Sequence, residues 1–167
     1  GTLNYTFSNY SGTRQATVVF PPGTSASLIL PGGGVVPAGA LQVRATEFTV
    51  GPSGEAAMPA QLPPASAYTY CVELSADEAD AAGAVEVRFD RALCLYVENF
   101  QGFPVGAAVP TGYYDRQRGV WVAAPDGRVV KVLAEAGGLA VIDADGDEAP
   151  EAAEALAALG MTEDERR

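Results

Sequence analysis

The sequence predicts an all-β fold, a Greek-key-type β-sandwich with a short C-terminal helical appendage. Three observations point there. Short runs with period-two alternation of apolar and polar residues recur along the first two thirds of the 167-residue chain. Gly and Pro, 19 and 12 in number, interrupt those runs at turns and leave little room for long helices. Composition then changes near Gly137. Residues 143–167 carry nine acidic and two basic side chains in an alanine-rich setting, a net of −7 against −4 for residues 1–142. We therefore expect a sandwich module over 1–136, then an acidic loop and helical tail over 137–167 that lead into further domains of a longer polypeptide.

The elements follow in order. Ala16–Phe20 is a strand that stops at Pro21, Pro22 and Gly23, and Ser27–Leu30 is another that stops at Pro31 and Gly32 to Gly34. In Leu41–Val50 the alternation puts Leu41, Val43 and Ala45 on one face and Gln42, Arg44 and Thr46 on the other. A Pro/Gly/Ala-rich connection runs from Gly51 to Ala65. Tyr68–Leu74 then sets Tyr68, Tyr70, Val72 and Leu74 against Thr69, Cys71 and Glu73. Ser75 and Glu78 have the spacing of a capping box, so one helical turn or a short acidic loop is expected after it. Val85–Phe89 points Val85, Val87 and Phe89 inward, and Leu93–Glu98 puts Leu93, Leu95 and Val97 on one face and Cys94, Tyr96 and Glu98 on the other. Gly119–Ala123 and Arg128–Leu133 flank Pro125-Asp126-Gly127, which reads as the turn of a hairpin. In the tail, Pro150 suits the first helical position, Glu151 and Glu154 favour a helix N-terminus, and Gly160 suits its end. Thr162 with Glu165 makes a second capping box.

Charge and composition narrow the function. With 21 acidic and 10 basic side chains the net charge is −11, which opposes binding to nucleic acid, whose phosphates require clustered Lys or Arg. There is no histidine, so Ser-His and Cys-His pairs and the commonest zinc ligand are all excluded. No stretch approaches the roughly 20 apolar residues of a membrane-spanning helix. A structural or binding role is expected, not an enzyme.

The strongest candidate site is Asp143-Ala-Asp-Gly-Asp-Glu-Ala-Pro-Glu-Ala-Ala-Glu154. Counting Asp143 as position one places Asp145 third, Asp147 fifth, Ala149 seventh, Glu151 ninth and Glu154 twelfth. An EF-hand-type loop takes its ligands from those positions, the seventh through a backbone carbonyl, because Ca²⁺ requires six to eight oxygens. Glu148 stands at the sixth position, where a glycine normally makes the sharp turn, and Pro150 at the eighth. The alternative is a solvated acidic loop that complements a helix N-terminus.

Two further constellations are weighed. Cys71 and Cys94 would form a disulfide if their strands were neighbours, implying an oxidising compartment; two unpaired thiols are the alternative, since register is not readable from sequence. Tyr113, Tyr114 and Trp121 would make an aromatic surface for a glycan or a protein if exposed together, whereas core packing is the ordinary use of such residues. Lys131 is the only lysine, and a crosslink to Asn99 would require both to be buried together.

From Val97-Glu98-Asn99-Phe100-Gln-Gly-Phe-Pro-Val-Gly106 through Val109-Pro-Thr-Gly-Tyr-Tyr-Asp115, the chain resembles the β-rich region that precedes the YD repeats of large bacterial RHS-repeat surface and secreted proteins. The likeness continues through Trp121, Asp126-Gly127-Arg128-Val129, Lys131-Val132-Leu133, the acidic loop and Leu159-Gly160-Met161-Thr162. Upstream, Thr46-Glu47-Phe48-Thr49-Val50, Met58-Pro59-Ala60, Leu62-Pro63-Pro64 and Ala67-Tyr68-Thr69-Tyr70 fit the same pattern. Phe20-Pro21-Pro22-Gly23-Thr24 also resembles ZU5-type β-sandwich modules. The resemblance implies a non-catalytic, extracellular structural segment of a very long polypeptide, and no catalytic residue. Members of that family show a glycine after the third aspartate of the acidic loop, where this chain has Glu148.

Overall fold

Side-chain parity explains the strands most directly in β2, Gly12–Val19, where Arg14, Ala16 and Val18 are buried and Thr13, Gln15 and Thr17 between them are more open. The structure, a computed structural model, describes residues 1–9, 12–48, 58–61 and 70–167. The chain is β-rich, built of several small antiparallel sheets with three short helices among the described residues. They divide into two compact units, Gly1–Val97 and Glu98–Arg167.

In the first unit, β1 (Thr2–Asn9) pairs with β2 from Thr2↔Val19 to Asn9↔Gly12. The other edge of β2 takes β8 (Cys94–Val97). A second sheet places β3 (Ala26–Ile29) between β4 (Val35–Pro37) and β7 (Glu86–Phe89). A third joins β5 (Val43–Glu47) to β6 (Val72–Ala76), and β6 leads directly into α1 (Asp77–Ala81). β5 meets the buried face of β1 and β2: the Tyr5 hydroxyl donates to the Val43 carbonyl at 3.2 Å, and Arg14 pairs with Glu47. Leu28, Ala76 and Ala79 form a separate apolar cluster, flanked by Leu41 and Val87.

The second unit holds two hairpins, β9 (Ala108–Asp115) with β10 (Val120–Arg128) and β11 (Lys131–Ala136) with β12 (Leu139–Asp143). Two short helices follow, α2 (Ala153–Ala158) and α3 (Glu163–Arg166). Leu156 of α2 is 2% exposed against Ile142 and Ala144, so the helix is held by burial of a side chain that contributes about 1.5–3 kcal/mol. Gly137 and Gly138, where the composition places a division, are instead the turn of the β11–β12 hairpin within the second unit, and both have positive φ (61° and 77°).

Several local expectations are met. Val43, Ala45 and Glu47 are the more covered residues of β5, and Arg44 and Thr46 are exposed. Thr162 caps α3, and Glu165 returns the bond to the Thr162 N–H. Tyr68, Thr69, Thr49 and Val50, together with the Gly51–Ala57 and Leu62–Ala65 parts of the connection, lie outside the described residues.

Other expectations are corrected. Pro125-Asp126-Gly127 is not a hairpin turn; it is a bulge inside β10, where the register jumps between Ala124 and Gly127. The bulge absorbs a proline that has no N–H to give the ladder, and the Thr111 hydroxyl donates to its carbonyl at 2.7 Å. Ser75 stays in β6 opposite Arg44 and does not cap α1, whose N-cap is Ala76. Glu78 instead accepts from the Gln42 backbone N–H at 2.8 Å, which holds its carboxyl below the usual range. In β8, Leu95 and Val97 share one face, as expected, beside their partners Val18 and Ala16, and are 50% and 37% exposed. Val85 lies before β7 and is exposed, while Val87 and Phe89 are partly covered as expected. Helix α2 starts at Ala153, so Pro150 precedes it by more than its first position.

Candidate functional site

The site begins where β12 ends. Asp143, its last residue, lies opposite Lys131 in β11 and is fully buried. Beyond it the chain reverses through a run of side-chain-to-backbone bonds that aspartate favours over regular structure. Asp143 Oδ1 accepts from the N–H groups of Asp145 at 3.2 Å and Gly146 at 2.7 Å, and Oδ2 accepts from Glu148 at 3.0 Å. Asp145 accepts from Asp147 N–H at 3.1 Å, and Asp147 from Ala149 N–H at 2.7 Å. Burial pushes the Asp143 carboxyl up. The backbone donors, with Lys131 nearby, more than offset this and hold it below the ordinary aspartate range.

Glu151 closes the loop. Its N–H donates to the Ile142 carbonyl at 2.8 Å, and its Oε1 accepts from Ala144 N–H at 3.2 Å. This brings one carboxylate oxygen each from Asp143, Asp145 and Glu151 within 4.8 Å of one another. Such a set of hard oxygens suits a hard divalent cation. Asp147 and Glu154, expected at the fifth and twelfth positions, are exposed and lie outside this group, and Ala149 is exposed as well. The physical reason is local. Glu148 turns the chain in the left-handed region (φ 64°), and the helix carrying Glu154 begins only at Ala153.

A neighbouring segment fixes the loop. Gly106 of that segment and Gly146 of the loop have positive φ, and an added Cβ on them would sit 3.0 Å from the carbonyl oxygens of Asp145 and Val105, respectively. Arg128 Nη1 donates to both the Gly106 and Ala144 carbonyls at 3.2 Å. Lys131 pairs with Glu148 at 2.9 Å, an exposed pair. Asn99, considered for a crosslink to Lys131, is instead bonded to the backbone of Phe103 through both amide atoms. Arg128 and Gly106 were not expected at the site; a lone arginine and a lone glycine distant in sequence are too common to stand out.

The other expected groups are not brought together. Cys71 lies just before β6, which pairs with β5, and Cys94 opens β8, which pairs with β2; no disulfide joins them. The strands β6 and β8 belong to different sheets, so the neighbour relation that a disulfide would require does not occur between them. Tyr114 and Trp121 face each other across β9 and β10 with ring centroids 5.4 Å apart, both partly covered. Tyr113, next along β9, points to the opposite face and is 56% exposed, so the three rings do not form one surface.

No protein-family model, curated protein or solved structure matches the chain.

Proposed function

We propose that the chain is a non-catalytic structural module of a larger extracellular bacterial protein, with an acidic loop that takes up Ca²⁺ and stiffens the passage from β12 into α2. The observation that carries this reading is the buried carboxylate of Asp143 gathered with those of Asp145 and Glu151. A cation there would offset repulsion among three carboxylates that form no ion pair with Lys or Arg among the described residues. A role without catalysis is supported by the lack of histidine. Extracellular placement, and connection to downstream domains, rest on the resemblance to the region preceding YD repeats.

In this reading β1, β2 and β8 form one layer of a sandwich and β5 and β6 the other. The contacts from Tyr5 to Val43 and from Arg14 to Glu47 support it.

Calorimetric titration with Ca²⁺, paired with thermal melting, tests the cation. Heat of binding and a rise in melting temperature, both abolished in Asp143→Ala, are expected. Neither heat nor shift would remove calcium from the proposal while leaving the structural role standing. YD repeats encoded downstream of this segment would support the wider placement, and a different downstream architecture would overturn it.

A further inference from the structure

We draw no further inference here: the strongest candidate, the clamp by which Arg128, Gly106 and Gly146 fasten the acidic loop after β12 to the Val105–Ala107 segment, belongs to the site already described, and the exposed apolar side chains Leu95 and Val97 at the β8 margin carry nothing because the structure does not show what covers them.

Discussion

Arg14 of β2 and Glu47 of β5 form a two-pronged ion pair, Nε to Oε1 at 2.8 Å and Nη2 to Oε2 at 3.1 Å, with side chains only 2% and 5% exposed. The pair ties two sheets together in a nearly buried setting. Tyr70 lies close enough to feel it. Burial first, then the Glu47 charge, push its phenol up to about 12, and Arg14 partly offsets them.

Breaking this pair from one side is expected to be severe. Arg14→Met or Glu47→Gln alone should lower the unfolding free energy by about 3–5 kcal/mol, since each removes one half of a buried ion pair. The double variant Arg14→Met/Glu47→Leu should recover much of that loss. Urea denaturation of all three proteins checks this, and a double variant as unstable as the sum of the singles would contradict it.

Asp143 should make stability depend on pH. Its folded pKa is depressed, so its contribution is present above the unfolded value, near about 3.9, and is lost as pH falls through the lower folded value. Asp143→Asn is therefore expected to melt below the wild type at neutral pH, with the gap closing in acid. Melting curves across that range decide the matter; a gap independent of pH would refute the assignment.

Two glycines separate steric from torsional strain. Gly106 and Gly137 have φ of 84° and 61°, but only Gly106 has backbone where a Cβ would stand. Gly137→Ala should cost about 1–2 kcal/mol from left-handed strain alone. Gly106→Ala should cost distinctly more and should also weaken Ca²⁺ binding if the loop holds a cation. Equal losses in chemical denaturation would mean that the close approach to Asp145 has no energetic weight.

Glu148 is the reverse case, a side chain where glycine would be at ease. Replacing it (Glu148→Gly) removes left-handed strain and gives up an exposed pair with Lys131, a kind of contact that contributes little. The variant should gain up to about 1 kcal/mol in stability. A clear loss on denaturation would show that the Lys131 contact matters more than its exposure suggests.

Legibility differed from element to element. The alternation of Leu41–Thr46 was readable because the face of a strand is set by residue parity, and the Thr162–Glu165 cap because both partners lie within one turn. The acidic turn was readable for the same reason, each aspartate bonding N–H groups two to five residues on. The Pro125-Asp126-Gly127 bulge was misread because its composition is equally that of a turn, and only a partner strand distinguishes them.

What the sequence alone determined was therefore local: a β-rich chain, the faces of individual strands, the helix cap and the presence of an aspartate-built turn. Tertiary structure alone decided which strands are neighbours, that Arg14 meets Glu47 from 33 residues away, and that Glu151 joins Asp143 and Asp145 while Asp147 and Glu154 stay outside. The division is physical. Backbone preferences and short side-chain bonds are fixed within a few residues, whereas sheet pairing and burial depend on distant segments competing for the same edges and faces.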